Sequence, residues 1–275
     1  MNDPMGDRMK LFEGMEAGRK FLPLLPVCAR LDGKCFSSYT KNLKRPYDER
    51  FSNLMIATTK YLVESTNAKM GYTQSDEISL VFYQERYDSQ IFFDGKIQKM
   101  VSVLTSMATA YFNAWVSTYL QHAKPEKLAL FDCRIWQMPN LEEAANVFLW
   151  REFDATKNSI TMAAQEFYSH KELHEKSGAE KQEMLFQKGI NWNDYPAFFK
   201  RGTYIQRKHI PRKFTTEEIE KLPAKHKAKT DPDLVVIRTE VQPIVMPIFS
   251  SVTNRAKVVF DGAVPCLSGL TQHNI

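Results

Sequence analysis

The sequence predicts an α+β fold of the ferredoxin-like βαββαβ type. Segments of alternating burial and segments of helical spacing follow one another as strand, helix, strand, strand, helix, strand. The two middle strands are close enough in sequence to share a tight turn at Gln74-Ser75-Asp76. In this fold the first and third strands are antiparallel neighbours at the centre of the sheet. The end of the first therefore meets the start of the third, and Asp32 and Asp76, which lie at those places, become neighbours in space.

The first strand is PVCARLDG, where Val27, Ala29 and Leu31 alternate with Cys28 and Arg30 up to Asp32-Gly33. From Pro46 the period changes. Phe51, Leu54, Met55, Thr58 and Leu62 fall at helical spacing, Pro46 suits a helix start, and the helix ends near Asn67. Residues 69–73 and 78–83 read as the paired strands. Ile97, Met100, Val101, Leu104, Met107, Ala108, Tyr111 and Trp115 then share one face of a helix over about 95–120, which places Tyr111 and Trp115 in the core. Phe131, Cys133 and Ile135 alternate with Asp132, Arg134 and Trp136 as the fourth strand.

Beyond it, Asn140 and Glu143 form a helix start of the N-x-x-E kind. LEEAANVFLWREF is helical, and a second helix covers about 156–173. A short helix over 178–188 stops at Gly189. Residues 200–208 read as a basic strand, 223–233 as a polar break and 234–241 as a late strand. The expected organisation is one unit over 1–210 and an extension over 211–275 whose role the residues do not reveal.

The 275 residues carry a net charge of +5 and are 43% hydrophobic, ordinary values that allow a polyanionic partner without requiring one. Cys28, Cys35, Cys133 and Cys266 form no C-x-x-C pair, so free thiols in a reducing compartment are expected. MNDPMGDRMK lacks the apolar stretch of a signal peptide, and no apolar run reaches the ~18 residues of a membrane span. A cytoplasmic protein is the expectation.

Two carboxylates converging at a sheet edge repel each other, and burial makes that costly. A hard divalent cation relieves the repulsion, and Mg²⁺ suits one or two carboxylates plus phosphates and water. The Gly33 carbonyl is a further candidate ligand, and two such ions can align a hydroxyl with an α-phosphate. Lys34, Cys35, Phe36 and Ser37 then offer backbone amides and a hydroxyl to a triphosphate. Arg45, Lys96 and Lys99 are further candidate phosphate partners. Taken singly, Asp-Gly also suits a plain turn and Ser-Asp-Glu a solvated hairpin tip.

RLDGKCF at 30–36, GYTQSDEISLVF at 71–82, FDCR at 131–134 and KRGT at 200–203 together resemble the tRNA(His) guanylyltransferase family, over roughly residues 20–208. The resemblance implies a polymerase-palm-like domain that adds nucleotides to the 5′ end of tRNA in the 3′–5′ direction. It implies two Mg²⁺ ions on Asp32, Gly33 and Asp76, with Glu77 a supporting carboxylate. It implies nucleoside triphosphate binding by residues 33–37 and Ser75, ATP or GTP as substrates, tRNA as partner and a homotetramer built as a dimer of dimers. WREFDATKNSI at 150–160 keeps Trp150, Arg151, Asp154 and Asn158 but has Thr156-Lys157-Asn158-Ser159 where eukaryotic members have H-I-N-N. This is similar to the bacterial and archaeal branch, which implies templated repair of 5′-truncated tRNA. Arg134 and Asn158 join Lys96, Lys99, Lys200 and Arg201 as candidate RNA or phosphate contacts.

Two other readings keep the residues but change the role: a palm-type nucleotide cyclase, and a non-catalytic RNA-binding module. His170 and His174 lie four apart, but Glu172 is misplaced for a zinc-protease motif, so a wet helix face is expected. Trp192 suits either a base-stacking platform or a ring tucked onto the core. Lys200, Arg201, Arg207 and Lys208 suggest a basic patch for RNA phosphates.

Overall fold

A computed structural model describes residues 3–267 apart from Lys124 and Pro232. Residues 268–275 of the expected extension, and Pro232 of the polar break, lie outside the described residues. The strands are β1 (Val27–Gly33), β2 (Met70–Gln74), β3 (Glu77–Phe82), β4 (Phe131–Gln137), β5 (Thr203–Lys213) and β6 (Val235–Ile244). The α-helices are α1 (Pro4–Ala17), α2 (Phe36–Tyr39), α3 (Glu49–Thr66), α4 (Ile97–Leu120), α5 (Leu141–Ala164), α6 (His170–Leu173), α7 (Gly178–Phe186), α8 (Ala197–Arg201), α9 (Thr216–Lys221) and α10 (Arg255–Phe260).

The six strands form one antiparallel sheet in the order β4-β1-β3-β2-β5-β6. Its first four members have the expected ferredoxin-like order, with β1 between β3 and β4. Pairing of β1 with β3 sets Val27 against Phe82 and Asp32 against Glu77, so the acidic ends of the two strands coincide. A two-residue turn, with Ser75 at φ 49°, joins β2 to β3.

Period-2 alternation gives the sheet two apolar faces. Ala29, Leu31, Ile78 and Leu80 point to one face, where α3 and α4 cover them with Leu54, Leu62, Leu104 and Phe112. Cys28, Met70, Tyr72 and Val81 point to the other, where α5 and residues 249–260 supply Phe148, Phe249, Val258 and Val259. Each Leu, Ile, Val, Phe or Met among them, taken fully out of water, contributes about 1.5–3 kcal/mol. Gly71 lets α3 lie close on β2, since a Cβ there would meet Val63 Cγ2 at 2.7 Å and Thr59 Cγ2 at 2.8 Å.

Local chemistry sets the helix ends. The Asp48 side chain accepts from the Arg50 amide at the start of α3, and Asn67 closes it in the left-handed conformation. The cap at Asp48, not Pro46, fixes the start, so α3 begins at Glu49 rather than at the proline. α5 is capped by Asn140 as expected, but it runs unbroken to Ala164 and absorbs the first half of the expected 156–173 helix. Its alanine-rich interior holds no breaker. The next helix, α6, starts where Ser169 and Glu172 cap each other reciprocally.

The basic strand is also shifted. Lys200 and Arg201 end α8, Gly202 turns the chain at φ 75°, and β5 then continues to Lys213. β6 pairs with β5 from Tyr204↔Ile244 to Lys213↔Val235, which carries the sheet across residue 210. Trp115 is 44% exposed rather than buried, and Tyr111 is half-buried. The buried stripe of α4 recurs every four residues from Met100 to Leu120, which leaves both rings at its edge. Helix α1 has no sequence-stated counterpart and buries none of its residues. No helix of the described residues is long and apolar enough to cross a membrane.

Candidate active site

The site forms where the carboxyl end of β1, the β2–β3 turn and α5 converge. Alternation along β1 and β3 sends Arg30, Asp32 and Glu77 to the face covered by α5, away from the Leu31 and Ile78 side. Asp32 stands opposite Glu77 on one side and Asp132 on the other. Asp76 is at the turn, where the Ser75 hydroxyl donates to its Oδ1 at 2.9 Å.

The three expected carboxylates have different environments. Burial raises the Asp76 carboxyl above its ordinary value, and the charge of Asp32 raises it further, against the Ser75 hydroxyl and its own amide. Asp76 makes no ion pair among the described residues, and the nearest cation to Asp32 is Arg134, with Nη1 at 3.9 Å from Oδ2. Glu77 is buried and fully occupied. Arg151 Nε donates to its Oε1 and Nη2 to its Oε2, both at 2.7 Å, and Arg30 Nε lies 3.9 Å from Oε2. Burial raises the Glu77 carboxyl, and the Arg151 guanidinium opposes that rise. The chemistry of the donor set fits a hard cation at Asp32 and Asp76: oxygen ligands, like charges, and a single cation nearby, Arg134, which is exposed and only at the edge of ion-pair distance from Asp32.

Two cavities meet at Asp76. One of about 500 Å³ is lined by Gly33, Cys35 and Ser37 and by Arg45, Tyr47 and Phe199. The other, about 480 Å³, lies between the carboxylates and α5 and is lined by Arg30, Asp32, Glu77, Arg151 and Asp154. Ser75, Asp76 and Asn158 border both. The size of each suits a nucleotide.

The loop from Gly33 explains itself locally. A Cβ at Gly33 would lie 2.4 Å from the Phe36 ring, so the glycine allows Phe36 to fold back into the core beside Phe112 and Phe131. Cys35 takes the left-handed conformation, φ 58°, and opens the helical turn α2. The amides of Phe36 and Ser37 in that first turn have no carbonyl four residues back to bond. The Lys34 amide, in contrast, is already donated to the Leu130 carbonyl at 2.8 Å. Of the expected donors 34–37, the structure therefore leaves the later ones open.

Other expected contacts divide. Arg45, Asn158 and Ser75 line the first cavity, and Arg134 stands beside Asp32. Lys96 and Lys99 are not brought to the site. They sit at the start of α4, where Phe92 stacks on Phe82 at the opposite end of β3 from Glu77. Lys200 and Arg201 border neither cavity. Lys200 Nζ donates to the Asn193 carbonyl and lies 5.5 Å from the Trp192 ring, and Arg201 offers its carbonyl to the Tyr72 hydroxyl at 2.8 Å. Arg207 leaves the basic patch altogether. Its guanidinium turns inward and donates to the Val63 and Ala68 carbonyls at the end of α3, the Ala68 bond being 2.9 Å. Trp192 resolves to the core reading, 9% exposed with Nε1 donating to Ser159 Oγ at 3.2 Å. His170 and His174 are both exposed, as expected of a wet face.

Sequence reasoning did not reach the aromatic wall of the first cavity. The Tyr47 ring lies 4.9 Å from Phe199 and 5.3 Å from Phe198. The PAFF run at 196–199 next to a lysine and arginine was the available signal. Nor did the sequence, which names Arg151 only within the 150–160 motif, pair it with Glu77; its position four residues after the buried Val147 places it on the sheet-facing side of α5.

The family described as tRNAHis guanylyltransferase matches residues 6–139. A tRNA(His) guanylyltransferase of Candida glabrata is 31% identical over 207 residues, 67% of this chain and 85% of the relative. A bacterial tRNA(His) guanylyltransferase-like protein solved in complex with ATP superposes with a TM-score of 0.69 at 40% identity, over 74% of this chain and 88% of that one. A bacterial protein of the same description in complex with GTP gives 0.68 at 33% identity, over 90% and 94%.

Proposed function

The chain belongs to the tRNA(His) guanylyltransferase family, a family of nucleotidyltransferases, and on that premise we propose that it extends the 5′ end of tRNA in the 3′–5′ direction with Mg²⁺ and nucleoside triphosphates. The observation that carries this reading is the pair Asp32 and Asp76 at the junction of two nucleotide-sized cavities, Asp76 outside every ion pair of the described residues and Asp32 met only by the half-exposed Arg134 at 3.9 Å. A dead site has no reason to hold such a repulsive pair.

In this reading Asp32, Asp76 and the Gly33 carbonyl hold two Mg²⁺ ions. When bound, Mg²⁺ neutralises phosphate charge, lowers the pKa of a coordinated hydroxyl and steadies the leaving group. The first cavity receives the incoming triphosphate. The amides of Phe36 and Ser37, the Ser37 and Ser75 hydroxyls and the Arg45 guanidinium face its phosphates, and Tyr47 with Phe199 packs against the base. The second cavity receives the RNA 5′ end, with Arg30 and Asn158 toward its phosphate. A 5′-monophosphate is first joined to AMP from ATP, which releases pyrophosphate. The 3′-hydroxyl of the incoming nucleotide then attacks that 5′ phosphorus, a new phosphodiester forms, and AMP leaves. A 5′-triphosphate end reacts directly and releases pyrophosphate.

Two observations favour templated repair over addition of one G to tRNA(His). Thr156-Lys157-Asn158-Ser159 stands where the eukaryotic histidine would be, and superposition on the two bacterial guanylyltransferase-like structures gives 40% and 33% identity against 28% on the Saccharomyces cerevisiae structure. The reading includes a cytoplasmic dimer of dimers. It is tested with two 5′-labelled tRNAs, Mg²⁺, ATP and all four nucleoside triphosphates. Restoration of the templated base to a tRNA lacking its first nucleotide is expected. Extension of full-length tRNA(His) alone would make the chain a strict guanylyltransferase, and extension of neither would remove the reading.

A further inference from the structure

Arg151 is the most deeply engaged cation of the site. Its guanidinium is buried, with its side chain 7% exposed, yet it touches neither Asp32 nor Asp76. Its Nε and Nη2 each donate to one oxygen of Glu77 at 2.7 Å, a fork matched to the carboxylate. Nη2 also donates to Asp154 Oδ2 at 2.8 Å, and that same oxygen accepts from Asn158 Nδ2 at 3.4 Å. The Trp150 ring covers the guanidinium, 4.5 Å from Cζ to its centroid.

This places one side chain between the two elements that carry the site. Glu77 is the first residue of β3 and follows Asp76 directly, so whatever holds Glu77 holds the end of the turn that presents Asp76. Asp154 and Asn158 follow Arg151 on successive turns of α5, and Asn158 borders both cavities. Asp76 makes no hydrogen bond or ion pair to α5 among the described residues; its one side-chain bond is to Ser75. Its position relative to that helix is set by neighbours, and Arg151 is the neighbour that spans the gap.

We propose that Arg151 is a positioning residue. It fixes the Asp76 turn through Glu77 and the Asn158 wall through Asp154, and so sets the spacing between the carboxylate pair and the α5 side of the second cavity. The guanidinium also satisfies both oxygens of Glu77, so that Asp32 and Asp76 rather than all three carboxylates remain to meet a cation. Lysine cannot replace it, because one ammonium cannot meet both Glu77 oxygens in a plane and Asp154 together. This role rests on the proposed reaction for its kinetic consequence, though not for its effect on cation binding.

Arg151→Lys, Glu77→Gln and the double variant are compared in the full chain by thermal melting, by Mn²⁺ binding followed through the electron paramagnetic resonance of the free ion, and by kcat and KM. For Arg151→Lys a folded protein is expected, with Mn²⁺ bound several-fold more weakly and kcat lowered roughly 10- to 100-fold at a KM for nucleotide within about threefold of the original. The double variant is expected to lose little beyond Arg151→Lys, since both changes break one fork. Glu77→Gln keeps the shape of the acceptor and serves where Arg151→Lys melts; it should weaken Mn²⁺ in the same direction. Unchanged Mn²⁺ affinity in both single variants, or losses that multiply in the double variant, would overturn the proposal. Absence of RNA extension by the unaltered protein would remove the reaction, while the Mn²⁺ measurements would still decide the role of Arg151.

Discussion

Asp32 faces Glu77 across the β1–β3 ladder, one residue from Asp76. That register brings together acids 44 positions apart in sequence and sets them at the mouth of two cavities. The β1–β3 pairing is fixed by its apolar faces. A slip by one residue would turn Leu31 and Ile78 toward α5 and the acids into the core.

Asp48 joins stability to the first cavity. The Arg50 side chain, then the Lys44 and Arg50 amides, hold its carboxyl down at about 2 from an ordinary 3.8. A depressed carboxyl contributes stability above its unfolded value, and that contribution is lost as pH falls through the folded one. Asp48→Ala should cost roughly 0.5–2 kcal/mol near neutral pH through the lost cap of α3. Urea melts across an acid series should show the gap from wild type closing between pH 3.8 and about 2. A gap independent of pH would mean that the charge of Asp48 contributes nothing.

Tyr47 should act on nucleotide binding and not on chemistry. Its ring belongs to the aromatic wall with Phe199, 4.9 Å away, and lines the same cavity as Asp76. Removal of one stacking platform costs about 1–3 kcal/mol per base. Tyr47→Ala is therefore expected to raise KM for the incoming nucleotide roughly tenfold or more with kcat nearly unchanged. A fall in kcat at constant KM would place Tyr47 in a different role.

Much of the site was legible because period-2 alternation and a two-residue turn constrain register strongly. That Asp32 and Asp76 meet follows from strand order, Gly33 came from its place beside Asp32, and Ser75 entered only through the family resemblance. Arg151 was not legible as the partner of Glu77, 74 residues away, because its direction depends on α5 continuing unbroken past it. Lys96 and Lys99 looked like phosphate contacts because charge is visible in a sequence and the direction of travel of a helix is not. α4 starts at the far end of the sheet, beside Phe82 and Phe92. Arg207 shows the same limit: a basic residue in a basic run that spends its guanidinium on the carbonyls ending α3. The partner of β5 was hidden by the polar stretch between the strands, although both strands carried alternating residues.

The second core depends on the segment after β6. Phe249 is fully buried, its amide donates to Glu152 Oε1 at 2.8 Å, and Tyr204 donates to Oε2 of the same carboxylate at 2.8 Å. Phe249→Ala should lower stability by about 3–5 kcal/mol. Denaturant unfolding reads this directly, and a loss under about 1 kcal/mol would mean that the segment docks loosely.

The most direct test of the central claim is nucleotide addition by Asp76→Asn on a tRNA that lacks its first 5′ nucleotide, with Mg²⁺ and with tRNA binding measured in parallel. Asparagine keeps the shape of the turn and relieves the repulsion with Asp32, so the variant should melt no lower than wild type. Addition should disappear while tRNA binding stays within about twofold, because the proposed reading assigns the lost carboxylate to the cation and not to the RNA. Addition that persists at the wild-type rate would contradict the assignment of Asp32 and Asp76 as the metal-holding pair.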